Sequence, residues 1–162
     1  EAMPAKLILV GEGPELPKVQ SKIYGMGLMD RVHFLGKQDD IAQVVSIADL
    51  MLLPSEKESF GLVALEAMAC GVPTIGSQAG GIPELVLHGV TGYLSPVGDT
   101  ASMAADAIRL LQDPERYAAF REACLVRAQS EFCDEKISSQ YEQIYYRVLG
   151  MPTAMPVTAC QA

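Results

Sequence analysis

The chain has 162 residues, 49% of them apolar and 20% charged, with a formal net charge of −8. That composition describes a folded chain with a full core rather than a disordered one. The acidic balance excludes a broad nucleic-acid surface, which needs clustered Lys and Arg. It still permits local binding of a phosphate through backbone N–H groups.

Short apolar runs alternate with amphipathic stretches along the first hundred residues. "KLILV" (6–10) reads as a strand, followed by a Gly turn and a helix in "GEGPELPKVQSKIYGMGL", with Pro14 as its starter. "RVHFLG" (31–36) is the second strand and "DDIAQVVSIA" (39–48) has helical spacing. "DLMLLP" (49–54) is the third strand, stopped by Pro54, and a helix spans 60–70. Strand "PTIGS" (73–77), a short helix from Pro83 and strand "TGYLSP" (91–96) complete the alternation. Strands apolar throughout are buried on both faces, as in a parallel sheet. The pattern is therefore α/β, a Rossmann-like doubly wound sheet built of right-handed βαβ units. Ligands in such sheets bind beyond the carboxyl ends of the strands, so loops 11–14, 36–40, 54–60, 77–83 and 96–99 are the informative ones.

The last third reads as three C-terminal helices, at 100–112, 114–132 and 134–149. Ile137, Tyr141, Ile144, Tyr145 and Val148 share one apolar face of the third. An exposed face of that kind invites association, so a homo-oligomer is an expectation. Residues 1–150 are taken as one domain and 151–162, with two prolines and no periodicity, as a flexible tail.

Apolar runs are broken by charge, as at Asp49 and Glu66, well short of the roughly 20 residues a spanning helix needs. Neither a membrane span nor a signal peptide is expected. Cys70, Cys124, Cys133 and Cys160 form no C-x-x-C pair and have no histidine at ligand spacing. Four free thiols in a cytoplasmic protein are expected, without zinc. His33 reads as a packed core or edge histidine and His88 as a cation at a helix C-terminus.

The loops differ in what they offer. In "VGEGPEL", Gly11 and Gly13 match the start of a dinucleotide fingerprint, but Leu16 stands where its third glycine belongs. A tight turn explains the pair at least as well as a ligand. In "PSEKESFGL" a strand ends and a helix opens, which leaves the N–H groups of Ser59, Phe60, Gly61 and Leu62 free to face an anion. Glu58 and Glu66 flank that point. Carboxylates repel phosphate, so their natural partners are hydroxyl donors, such as those of sugars on either side of a diphosphate. Eight residues of helix advance about 12 Å, comparable with the reach from a ribose across a diphosphate to a hexose. The same reach exceeds the about 5–5.5 Å or 6.5–9.5 Å between glycosidase carboxyls. The bland alternative makes Glu58 a helix N-terminal charge and Glu66 a solvated helix residue, and composition alone leaves it open. Gly80-Gly81 in "SQAGGIPEL" fits a structural turn and a ligand-facing loop equally.

From "FLGKQDD" through "SEKESFGLVALEAMACGVP" to "GGIPELVLHGVTGYL", the chain resembles the donor half of retaining glycosyltransferases of family 4, with the GT-B fold. The carriers are Glu58 and Glu66 spaced as E-x7-E, S-F-G between them, and the G-G-I-P-E loop. The resemblance implies that this chain is the C-terminal half of a GT-B fold, with the acceptor-binding N-terminal half absent. It implies a UDP-sugar substrate, UDP-GlcNAc or another nucleotide sugar. In the full-length enzyme N-acetylglucosamine would pass to L-malate, as in bacillithiol biosynthesis; the fragment alone would not turn over. By the same resemblance Glu58, as the catalytic-site carboxylate, and the backbone of Ser59, Phe60 and Gly61 hold the donor sugar. Gly61 and Leu62 amides face the diphosphate, and Glu66 binds the ribose. Gly36 and Lys37 lie against the base, while Gly11 and Gly13 shape the cleft floor. No metal or other cofactor is implied, because family members hold the diphosphate with basic side chains and a helix end. The Arg and Lys that do so would precede Lys6. Two other readings stay open: a UDP-GlcNAc 2-epimerase-like isomerase and a non-catalytic nucleotide-binding module.

Overall fold

A computed structural model describes residues 3–152. The chain divides into two compact units, one up to Ile41 and the other from Ala42 onward.

The first unit pairs β1 (Leu7–Val10) with β2 (Val32–Gly36) in parallel, Leu7 opposite Val32 and Val10 opposite Gly36. Helix α1 (Leu16–Gly25) makes the crossover and a 3₁₀ turn at Met29–Arg31 leads into β2. The helix starts two residues later than its predicted starter: Pro17, not Pro14, occupies its first turn, where the missing N–H costs nothing. The expectation that every apolar strand is buried on both faces fails here. Leu7, Val10 and Leu35 are exposed, because a two-stranded ladder with one helix covers one face only. His33 is likewise an exposed position of β2, at an edge rather than in a core.

The second unit carries the three-stranded parallel sheet, β3 (Met51–Leu53), β4 (Thr74–Ser77) and β5 (Gly92–Ser95), in that spatial order. The sequence suggests one continuous sheet; the hydrogen-bond ladders instead form two separate sheets, one in each unit. α2 (Ile41–Val45) is a single short helix before β3. α3 (Leu62–Ala69) and α4 (Ile82–Leu85) are the two crossovers. Both step the same way across the sheet, and right-handed connections then place them on the same face. Their buried residues confirm it: Ala64, Ile82 and Leu85 share one core cluster with Leu53 and Leu94. Ile75 and Tyr93 point to the opposite face and meet Met103, Leu110 and Phe120 from α5 (Thr100–Leu111) and α6 (Pro114–Phe132). β4 and β5 are buried throughout, as a sheet covered on both faces requires.

The C-terminal helices start where their caps dictate. Asp99 accepts from the Ser102 N–H and hydroxyl, and Asp113 accepts from the Arg116 N–H with Pro114 following. α6 is 19 residues long. Its later turns reach α3, where Cys124 and Ala128 pack with Met68. α7 (Asp134–Val148) leaves Tyr141, Ile144 and Tyr145 exposed. The predicted tail, beyond its first two residues, lies outside the described residues.

Two smaller expectations are corrected. Cys133 is disulfide-bonded, whereas Cys70 and Cys124 are free. His88 is not a helix-terminal cation. α4 ends at Leu85, and the Nδ1 of His88 accepts the Leu94 N–H at 3.0 Å while its ring meets Tyr93 edge-on. The ring therefore fastens β5 through an accepting Nδ1.

Candidate functional site

The register of the three-stranded sheet brings Leu53, Ser77 and Ser95 to one carboxyl edge. Loop 54–61 leaves this edge first. Its take-off is held by Ser77, a fully buried serine whose hydroxyl donates to the Ser55 carbonyl. The loop then runs over the Gly80-Gly81 turn. A Cβ on Gly80 would lie 1.5 Å from the Glu58 carbonyl oxygen, and one on Gly81 would lie 2.9 Å from the Cα of Phe60. The two loops are in backbone contact, and Gly80 also takes φ +51°. The Gly80-Gly81 turn thus has a structural role in seating residues 58–60.

Loop 54–61 ends at Gly61, whose φ of +93° turns the chain into α3. The position is buried against Ile82 and Leu85. No side chain caps the helix, and its first turn holds no acidic residue. The first amides to find a helical acceptor are those of Ala64 and Leu65, both on the Gly61 carbonyl. The N–H groups of Leu62 and Val63 have no acceptor among the described residues, so the positive end of the helix is open to an anion.

The predicted residues of this stretch lie together. Glu58 is half-buried, and the one hydrogen bond its carboxylate accepts among the described residues comes from the Ser59 N–H, at 3.1 Å. That amide was expected to be free; its neighbour's carboxylate occupies it. Phe60 and Leu62 are exposed. Glu66 sits on the fifth residue of α3, half-buried, with no hydrogen-bond partner for its carboxylate among the described residues. It shares the open face of the helix with Leu62, while Ala64, Ala67 and Met68 face the core. Four helical steps from Leu62 place it about 6 Å along the axis, shorter than the all-helix estimate because residues 58–61 are loop. Lys57 adds an exposed cation to the loop and joins no ion pair among the described residues.

In the first unit, Gly11 and Gly36 meet: the Gly11 N–H donates to the Gly36 carbonyl at 2.7 Å, closing the carboxyl ends of β1 and β2. Gly13 accepts from the Leu16 N–H in the turn into α1, and Lys37 is exposed.

The second unit therefore places two carboxylates, acceptors for hydroxyl donors, beside an uncapped helix end. His88 is committed to β5. Cys124 is buried, its thiol pushed up to about 12 by burial, and it donates to the Thr91 carbonyl. Among the described residues no three His, Cys, Asp or Glu side chains cluster so as to hold a metal ion.

A scan against protein families matches residues 1–124 to "Glycosyl transferases group 1". The chain belongs to this family. Over 145 residues it is 55% identical to N-acetyl-alpha-D-glucosaminyl L-malate synthase of Bacillus anthracis, covering 90% of this chain and 38% of that protein. Among solved structures it resembles Anabaena Alr3699/HepE in complex with UDP, with TM-score 0.81 and 31% identity over 91% of this chain and 41% of that one. Sucrose-phosphate synthase from Thermosynechococcus elongatus matches with TM-score 0.82 and 35% identity, over 90% and 39%. The chain thus spans about two fifths of the length of each of these proteins. Its Rossmann-like architecture and GT-B kinship agree with the sequence reading.

Ser77 and the Gly80–Glu58 contact were missed as site features by sequence reasoning. A serine closing an otherwise apolar strand was the available signal for the first. Nothing local signals the second, since the two loops are 22 residues apart.

Proposed function

We propose that this chain is the nucleotide-sugar-binding part of a retaining glycosyltransferase that takes UDP-GlcNAc and, as a whole enzyme, glycosylates L-malate. The observation that carries the reading is the uncapped start of α3 behind Gly61, flanked by the available carboxylates of Glu58 and Glu66. The N–H groups of Leu62 and Val63 take a diphosphate oxygen, with the helix dipole behind them. Glu66 accepts from the ribose hydroxyls. Glu58, with the backbone of Phe60 and Gly61, receives hydroxyls of the donor sugar. Repulsion between carboxylate and phosphate sorts the ligand: the charged middle goes to the helix end and the hydroxyl-bearing ends to the glutamates. Holding the leaving diphosphate is itself catalytic, because negative charge develops there as the glycosidic bond breaks. Binding needs no metal ion in this reading.

The likeness to the Bacillus anthracis synthase supports the choice of donor and acceptor, and the UDP complex of the Anabaena protein supports a uridine nucleotide. Membership of a glycosyl transferase family favours group transfer over isomerisation or simple nucleotide storage. The test is an amide-shift titration of the chain with UDP and UDP-GlcNAc, with and without EDTA. Shifts concentrated at residues 58–66 and indifferent to EDTA are expected. Glu66→Gln should weaken binding about tenfold, the scale of one hydrogen bond to a charged acceptor, at unchanged Tm. Millimolar UDP that leaves residues 58–66 unmoved would refute the proposal. The acceptor is tested on the whole enzyme by product formation from malate against other hydroxy acids.

A further inference from the structure

We infer that Arg127 is a positioning residue for the 58–61 segment, holding it through α4 and through Phe132; the functional consequence rests on the donor reading above. Arg127 lies on α6, half-buried, and makes no ion-pair contact among the described residues, although after Lys136 its charge also helps hold the Glu131 carboxyl below its ordinary value. Its guanidinium is instead spent on backbone. Nε donates to the Leu85 carbonyl at 3.0 Å and Nη2 to the Glu84 carbonyl at 2.7 Å. These are the last two carbonyls of α4, a helix only four residues long and held by few bonds of its own. A forked cation at that end satisfies orphan acceptors and opposes the negative end of the helix.

α4 is the bed on which the donor loop rests. Gly80 and Gly81 at its start touch the backbone of Glu58 and Phe60. Ile82 and Leu85 lie 3.5 and 3.4 Å from the position a Cβ would take on Gly61. A shift of α4 therefore moves the Gly61 turn and the open N–H groups after it.

The second route is aromatic. The Arg127 guanidinium sits over the Phe132 ring at 5.4 Å, and Phe132 meets Phe60 edge-on with centroids 6.4 Å apart. Phe60 is itself one of the residues whose backbone is proposed to face the sugar, two positions before the first of the diphosphate amides, that of Leu62. One side chain thus supports the loop from beneath, through α4, and from the side, through the ring pair. Lysine cannot replace it, since an ammonium offers neither the planar fork nor the same stacking.

The test is native-state amide exchange on the whole chain, with UDP affinity measured in parallel. The amides of Ala64 and Leu65, both bonded to the Gly61 carbonyl, report opening at the start of α3. Ile75 and Gly76, on the central strand β4 with a partner strand on either side, report global opening. Arg127→Gln and Arg127→Lys should each speed exchange at Ala64 and Leu65 about tenfold, leave Ile75 and Gly76 unchanged, and weaken UDP about as much. Phe132→Leu keeps the Arg127 hydrogen bonds and should give a smaller change in the same place, and Phe132→Tyr should restore it. Uniform acceleration at all four amides, or an Arg127→Lys chain that matches the parent, would overturn the inference. If the parent chain binds no UDP, the donor reading fails, while the exchange at Ala64 and Leu65 still decides the positioning role.

Discussion

The contact between Gly80 and Glu58 allows a prediction with a built-in control. In Gly80→Ala the new Cβ would fall 1.5 Å from the Glu58 carbonyl oxygen and 2.6 Å from its carbon, at φ +51°. Left-handed backbone costs an alanine about 1–2 kcal/mol. Overpacking against backbone that cannot rotate away adds about 1–3 kcal/mol, for a total of roughly 2–5. Gly89→Ala is the reference. Gly89 has φ +79° with nothing within 4 Å of its Cβ position, so only the conformational cost applies. The gain from a stiffer unfolded chain is common to both and cancels. Urea unfolding of the second unit should therefore separate the variants by about 1–3 kcal/mol, or near 1 M in midpoint at an m-value of about 1–3 kcal/mol/M. UDP affinity should fall for Gly80→Ala alone, because the strain is relieved by moving residues 58–60. Equal midpoints for the two variants would show that the loops are not in contact as described, and the account of how Glu58 is seated would fall with it.

Other outcomes follow from single residues. Cys124 should resist alkylation in the native chain while the half-buried Cys70 reacts. Burial raises the Cys124 thiol from 9.0 to about 12, so the unfolded chain ionises first. Stability is then full below pH 9 and declines as the pH rises from 9 toward 12; Cys124→Ala should flatten that decline in an alkaline unfolding series. Asp99 is held below its ordinary value by the Ser102 N–H and then by the Ser102 hydroxyl. Its stabilising effect is present above the ordinary carboxylate value and lost as pH falls through the lowered one. Asp99→Ala should lower Tm at neutral pH and remove that part of the acid dependence. His88→Leu removes the acceptor for the Leu94 N–H and should speed exchange of that amide about tenfold, with little change at Ile75.

Much of this chain was legible before folding was considered. Strands announce themselves as apolar runs, and each of the five appeared within two residues of its predicted place. Their alternation with helices admits few topologies once crossovers must be right-handed. The three C-terminal helices and the apolar face of the last are also local signals, because propensity and periodicity act over a few residues. So is the E-x7-E pattern, whose charge logic needs only Glu58, Gly61 and Glu66. What required tertiary structure was everything set by residues distant in sequence. Whether β1 is covered depends on how many layers pack against it, which its own four residues do not state. His88 looks like a cation until the Leu94 N–H arrives at its Nδ1. Gly80 looks like any turn glycine until Glu58, 22 positions earlier, is found lying on it. Arg127 looks like a solvated helix charge until its fork closes on the Glu84 and Leu85 carbonyls. Local chemistry determines which elements form and where charge can be tolerated; the position of one backbone against another is a sum over long-range contacts, and only the folded chain evaluates it.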